Sequence, residues 1–338
     1  MPKALPSKFL IAAVRFTWTA LWHTMMARLA PRDRAGAYVR PESQFRHQIS
    51  DAPDNPYQPQ AGRYRLIVGM GCPWAHRTLV VRAIKGLEAA IPVVVVVPDP
   101  LEGGWVFERA HEGCRSLAEF YRLSQAGYTG RSTVPVLWDS QTRTIVNNES
   151  AEIIVLLDAA FERFAARPGQ NLYPEGLKAQ IDEWNSRIYA AINDGVYRTG
   201  FAQSQSAYEQ AVNRLFAALD DIDAALETRR YLCGEKLSLA DVRLFTTLIR
   251  FDLVYHGLFK CNRRRVRDYA HLWGYLRDLY QLPGIADTCD FDTIRCDYYG
   301  NLFPLNPGGI IPPGPDLQEL STPHDRERLG SAEAHTGG

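Results

Sequence analysis

The stretch Ile67-Val68-Gly69-Met70-Gly71-Cys72-Pro73-Trp74-Ala75-His76-Arg77 runs an apolar strand into the first turn of a helix, with Cys72 at the junction. A thiol placed there meets unpaired backbone N–H groups and the positive end of the helix dipole. Both stabilise a thiolate and lower the pKa from about 8.5 toward neutrality. Pro73 suits the first helical position because its missing N–H would have had no partner. Three positions after Cys72 stands Ala75, so the second thiol of a C-x-x-C pair is absent and no disulfide can close within the motif. An oxidised Cys72 must then be restored by a thiol from outside. The competing reading of a lone cysteine is an inert small core residue. His76 is a second candidate for activating the thiol, but the helix terminus already supplies a sufficient cause.

Working outward, Arg63 to Met70 reads as a strand, Pro73 to Glu88 as a helix and Val93 to Val97 as a buried strand, which makes a βαβ unit. A helix is expected from Arg109 to Gln125, then short strands at Val134 to Trp138 and Thr144 to Val146, then a helix from Ser150 to about Phe164. The order βαβαββα points to one compact α/β domain. Beyond Pro174 only helical spacing remains, as in Ile181, Trp184, Ile188 and Ile192, so the second half is a helical bundle. Ser238 with Asp241 at the third helical position forms a helix start, and Leu237 is placed to staple onto Val242. The expected organisation is an N-terminal helix and irregular arm over 1–60, an α/β domain over 61–165, an all-helical domain over 175–307 and an extended or disordered tail over 308–338.

The 338 residues are 46% hydrophobic and balance 38 Lys+Arg against 38 Asp+Glu, which gives no electrostatic reason to expect nucleic acid. The six cysteines, at 72, 114, 233, 261, 289 and 296, show neither a metal-binding nor a disulfide framework, so a reducing compartment, by default the cytoplasm, fits best. Histidines at metal-ligand spacing and a phosphate-binding loop are missing, and Gly69, Gly71 and Gly86 do not make a dinucleotide fingerprint, so no metal, nucleotide or flavin is implied. Phe9 to Leu29 is rich in apolar and aromatic residues, but Arg15, His23 and Arg28 interrupt it and no cleavage site follows. Packing against the protein's own body is favoured for this segment, with a peripheral membrane helix as the alternative. Pro31, Pro41, Pro53, Pro56 and Pro59 then punctuate an irregular arm.

The ordered set Cys72-Pro73-Trp74-Ala75-His76-Arg77, Gly104-Trp105, Thr133-Val134-Pro135-Val136-Leu137-Trp138-Asp139, Asn148-Glu149-Ser150, Asn193-Asp194-Gly195-Val196-Tyr197, Arg250-Phe251-Asp252, Phe259-Lys260-Cys261 and Gly274-Tyr275-Leu276-Arg277-Asp278 spans most of the chain. It resembles the glutathionyl-hydroquinone reductases, the Xi class of glutathione transferases. The resemblance implies a thioredoxin-like domain followed by a helical domain, glutathione as co-substrate, and a homodimer. It also implies that Cys72 attacks the glutathione sulfur of a glutathionyl-hydroquinone, becomes a mixed disulfide with glutathione, and is freed by a second glutathione. The aromatic carbon that loses sulfur must receive a proton, so an acid near the ring is required.

By resemblance Tyr197 is the proton donor, and Tyr255 and Tyr298 help keep the cysteine ionised; Tyr299, adjacent to Tyr298, is the competitor for its place. For glutathione the resemblance gives Trp105, Arg131, Thr133, Val134 and a cis Pro135, with the Val134 main chain pairing with the tripeptide like an added strand. Glu149 and Ser150, at a helix start, suit the γ-glutamyl group, and Ser150 is equally an ordinary N-cap. Trp74 and Trp138 read as structural. Two other functions compete: a broader glutathione-dependent thiol transferase or dehydroascorbate reductase using the same Cys72, and a non-catalytic ligand carrier.

Overall fold

The computed structural model describes residues 7–39, 42–99, 101 and 104–329; Pro41 of the arm and residues 330–338 of the tail lie outside them. The α/β domain is thioredoxin-like. Strands β1 (Tyr64–Val68), β2 (Val93–Asp99), β3 (Gly104–His111), β4 (Cys114–Ser116), β5 (Val136–Asp139) and β6 (Thr144–Asn147) form one sheet in the order β4-β3-β2-β1-β5-β6. Only β1 and β2 pair in parallel, as their helical crossover demands; every other neighbour is antiparallel. Preceding the sheet is α1 (Ser7–Leu29), and three helices belong to this domain: α2 (Pro73–Lys85), α3 (Leu117–Ser124) and α4 (Ser150–Ala159).

One expectation fails here. The helix predicted from Arg109 to Gln125 is only α3, and residues 104–116 instead make the β3–β4 hairpin. His111 pairs with Cys114 across a two-residue turn in which Glu112 and Gly113 have φ of 52° and 83°. Positive φ at both central positions matches the right-handed twist of a hairpin, and the Gly supplies it without strain. Helix α3 then starts at Ser116, whose hydroxyl accepts the Glu119 N–H while the Glu119 carboxylate accepts the Ser116 N–H.

The second domain is all helical: α5 (Lys178–Ile188), α6 (Gly195–Gly200), α7 (Gln205–Ala225), α8 (Leu239–Arg250), α9 (Leu272–Tyr280) and α10 (Phe291–Asn301). Two π-helical turns, Tyr189–Asn193 and Phe251–Tyr255, interrupt the regular winding next to α6 and after α8. The start of α8 follows the expected pattern, with Asp241 accepting the Ser238 N–H and also the Tyr275 hydroxyl. Helix α2 is the hinge between domains: it packs on α4 on one side and α8 on the other, and twelve of its residues are buried. Cys72 therefore sits at the junction of the two layers.

At its C-terminal end α1 packs on the protein, through Met26, with Ala30 just beyond, both fully buried. Its first four turns do not, so the favoured expectation for the segment holds only for its last two turns: Phe9, Ile11, Val14 and Phe16 remain 58%, 58%, 60% and 77% exposed. The chain from 308 to 329 is extended with two short turns and is anchored, because Arg326, 3% exposed, donates to the Leu226 carbonyl at 2.7 Å and the Arg230 carbonyl at 3.0 Å.

Candidate active site

Cys72 occupies the N-cap of α2, with extended backbone and Pro73 at the first helical position, as its sequence dictates. Its N–H donates to the Gly69 carbonyl and its carbonyl accepts the His76 N–H, each at 3.0 Å, which fixes the sulfur at the open end of the helix. The Sγ lies 3.8 Å from the Val134 carbonyl oxygen, and the Val134–Pro135 peptide is cis.

Two cavities meet at this sulfur. One, of about 280 Å³, is lined by Trp105, Arg131, Thr133, Val134 and Asn148 and by Ser43 of the arm, with the aromatic side chains of Tyr38, Trp74 and Tyr128 among others. The other, of about 490 Å³, is lined by Gly71, Tyr197, Phe201, Asp297, Tyr298 and Leu302, among others. Leu29, Cys72, Trp105, Tyr197, Phe201 and Leu302 belong to both. The first has the dimensions and polar rim for a short peptide and the second an aromatic wall suited to a ring.

The structure brings together most of the residues expected at the first cavity. Trp105 lies against Gly69 so closely that a Cβ there would fall 2.3 Å from its ring. Arg131 is exposed at the rim, and the Thr133 carbonyl accepts the Tyr121 hydroxyl at 2.8 Å. The N-cap of α4 is Glu149 rather than Ser150: its carboxylate accepts the Ala151 N–H at 3.1 Å and the Ser43 hydroxyl at 3.0 Å. Ser150 is already the first helical residue, so the cap falls to the acceptor one position earlier. The Ser150 hydroxyl is buried and accepts from Arg77 at 3.3 Å.

At the second cavity the three expected tyrosines form a single hydrogen-bonded group. The Tyr298 hydroxyl lies 2.5 Å from that of Tyr197 and 2.9 Å from that of Tyr255. Burial raises all three pKa values above the ordinary phenol value, so each keeps its proton at neutral pH. For Tyr197 the neighbouring Tyr255 and the charge of the Cys72 sulfur push further in the same direction. Tyr299 points elsewhere, with its hydroxyl over Gly257 and beside the Leu258 backbone. Trp74 stacks on Tyr197 at 6.3 Å between ring centroids, and Trp138 is buried in the sheet.

His76 turns away from the thiol into the domain interface. Its Nε2 lies 2.8 Å from the Thr288 hydroxyl and its Nδ1 accepts from Arg250 at 2.8 Å. Burial and the Arg250 charge lower its pKa well below the ordinary imidazole value, so it is neutral. Arg250 is the residue that sequence reasoning passed over. Fully buried, it also donates to the Gly71 carbonyl at 3.1 Å and the Met70 carbonyl at 3.3 Å, bracing the loop before Cys72 and placing a cation one residue from the thiol. The signal available was its place at the last position of a helix otherwise apolar on that face. Asp297 was also missed: its Oδ2 is buried without a hydrogen bond, and burial raises its pKa to about 6 despite the nearby Gly71 N–H and Arg250. No group of metal-ligating side chains occurs among the described residues.

Residues 71–160 match the glutathione S-transferase N-terminal domain family and residues 205–278 the C-terminal domain family. The chain is 44% identical over 310 residues to glutathionyl-hydroquinone reductase YqjG of Escherichia coli, covering 88% of this chain and 94% of the relative. It is 41% identical to glutathionyl-hydroquinone reductase PcpF of Sphingobium chlorophenolicum, covering 88% and 94%. Among solved structures, the Xi-class glutathione transferase from Natrialba magadii superposes with a TM-score of 0.80 at 48% identity over 84% of this chain and 89% of that one. The glutathione-bound YqjG structure gives 0.79 at 45% over 84% and 96%. Identity of this extent over nearly the whole length, on the same two-domain fold, shows that the chain belongs to the glutathionyl-hydroquinone reductases of the Xi glutathione transferase class.

Proposed function

We propose that the protein reduces glutathionyl-hydroquinones to free hydroquinones with glutathione as co-substrate. The observation that carries this reading is the position of the Cys72 sulfur at the meeting point of a peptide-sized cavity and an aromatic one. The glutathionyl part of the conjugate occupies the first, its backbone along Val134, its carboxylates toward Arg131 and toward the N–H groups and Ser150 hydroxyl at the start of α4, and its ammonium toward the Glu149 carboxylate. The hydroquinone ring occupies the second, against Tyr197, Phe201 and Tyr298.

The Cys72 thiolate attacks the glutathione sulfur. A sulfur–sulfur bond forms as the carbon–sulfur bond breaks, and the bonding pair passes to the ring carbon, which takes a proton delivered from Tyr197. Tyr298 holds the Tyr197 hydroxyl in place and is itself held by Tyr255, both help keep Cys72 ionised as the resemblance implies, and Tyr197 regains the proton that the thiol of the second glutathione gives up. A second glutathione thiolate then attacks the Cys72–glutathione disulfide, releasing glutathione disulfide and the free Cys72 thiolate. The absence of a second thiol at Ala75 supports this external resolution.

A disulfide substrate would require no proton donor at a ring, and the buried, protonated tyrosine group favours the hydroquinone reading over a general thiol transferase. Cysteine spacing without a disulfide framework fits a reducing compartment, by default the cytoplasm, and the resemblance to the family implies a homodimer. The test is turnover of glutathionyl-menadiol: Cys72→Ser should abolish release of menadiol, whereas retained release would refute the role of Cys72.

A further inference from the structure

We infer that α1 and the apolar rim of the aromatic cavity form a face that docks on an anionic lipid surface. Phe9 and Phe16, 58% and 77% exposed, stand on the opposite side of the helix from Leu10, Ile11, Val14, Trp18 and Leu21, which recur at three- and four-residue steps along one side. The latter five are 58%, 58%, 60%, 45% and 53% exposed. An apolar stripe of this length left in water marks a surface that meets a partner or a membrane.

Charge selects the occupant. Residues 1–32 contain Lys3, Lys8, Arg15, Arg28 and Arg32 and no Asp or Glu, in a chain whose totals are 38 basic and 38 acidic. A basic helix with exposed leucine and tryptophan is the composition of an interfacial helix on acidic lipid. Self-pairing of α1 in a second copy would bring these cations together with no acidic residue in the same segment to neutralise them. No described helix is long and apolar enough to cross a membrane, so the helix lies on the surface rather than through it.

Geometry ties this face to the site. The Trp22 indole N–H donates to the Pro304 carbonyl at 3.0 Å, which fixes α1 to the chain just beyond α10. Leu29, at the end of α1, lines both cavities, and Phe303, 49% exposed, lines the aromatic one. The stripe therefore leads to the mouth through which a ring would enter. Resting on the reading of that cavity as the hydroquinone site, the arrangement favours apolar quinol conjugates that partition into bilayers over polar ones.

The test is co-sedimentation of the full chain with vesicles of phosphatidylcholine alone and of phosphatidylcholine mixed with phosphatidylglycerol. The wild type should sediment with the mixed vesicles and not with the neutral ones. Binding should weaken at least about tenfold in Lys8→Glu/Arg15→Glu and in Val14→Asp/Trp18→Asp, with release of a water-soluble hydroquinone unchanged. Absence of sedimentation with mixed vesicles, or sedimentation that persists in both variants, would overturn the inference. So would a stripe variant that changes the molecular mass by light scattering while wild-type vesicle binding is absent, since that result assigns the face to a second copy. Vesicle binding without hydroquinone release would instead refute the proposed function and leave the docking face standing.

Discussion

The hydroxyls of Tyr197 and Tyr298 lie 2.5 Å apart, and Tyr255 reaches Tyr298 from 2.9 Å, so three phenols from three separate helical segments share one small buried volume. Tyr197 comes from α6, Tyr255 from the π-helical turn after α8, and Tyr298 from α10. Such a group keeps its protons and presents one of them at the wall of a cavity that also contains the Cys72 sulfur.

Removing the Tyr197 hydroxyl separates the two chemistries available to Cys72. Tyr197→Phe should lower kcat on a glutathionyl-hydroquinone by about 10²-fold or more, the usual worth of a positioned general acid. Reduction of a glutathione-containing mixed disulfide by the same variant should fall by less than about threefold, since a thiolate leaving group needs no carbon protonation. Parallel steady-state assays on the two substrates check this, and equal losses on both would contradict it.

Arg250 carries the loop before Cys72. Arg250→Met leaves the Gly71 carbonyl and the His76 Nδ1 without their buried donor and should destabilise the protein by about 3 kcal/mol, measured by denaturant unfolding. Any folded fraction should react more slowly with iodoacetamide at Cys72, because a nearby cation that favours the thiolate is gone.

Asp297 gives stability a pH dependence. Its folded pKa is raised by burial from the ordinary 3.8 to about 6, so the folded state loses stability as pH climbs through that window and keeps the full penalty above it. A shift of this size corresponds to about 3 kcal/mol, reduced to about 1–2 kcal/mol by partial solvent access. Asp297→Asn should therefore gain stability relative to wild type at pH 8 and lose that advantage at pH 4. Unfolding curves at the two pH values check the sign, and an advantage confined to pH 4 would contradict it.

Gly69 allows Trp105 to close on the loop. In Gly69→Ala the new methyl would sit 2.3 Å from the indole, which must move and take a shared wall of both cavities with it. KM for glutathione should rise about threefold to tenfold, equivalent to about 1 kcal/mol, with a smaller effect on stability.

The strand–helix junction at Cys72 was legible because every local signal there agrees: an apolar strand, a cysteine without a partner at Ala75, and a proline suited to the first helical position. The β3–β4 hairpin was not, because Arg109 to Gln125 contains one real helix end and the turn is set by only Glu112 and Gly113. Glu112 with positive φ is a weak turn signal beside the usual Asn-Gly or Asp-Gly. The tyrosine group could be named only through resemblance, since its members stand 43 to 101 positions apart and nothing in local periodicity joins them. Arg250 stood out only within the Arg250-Phe251-Asp252 motif and Asp297 not at all, because each sits in an ordinary helix and only the docking of the two domains brings it against Gly71. The fate of α1 turned on packing too, because its apolar stripe reads the same whether it covers the protein or stands in water.

The most direct measurement is the stoichiometry of a single reaction: glutathionyl-menadiol with excess glutathione, followed for menadiol and glutathione disulfide, with mass spectrometry of the Cys72 peptide after rapid acid quench. Equal amounts of the two products, with glutathione attached at Cys72 in the wild type and neither product formed by Cys72→Ser, is the expected result. Menadiol release by Cys72→Ser at the wild-type rate, or turnover in the wild type with no glutathione disulfide formed, would contradict attack by Cys72 on the conjugate's sulfur.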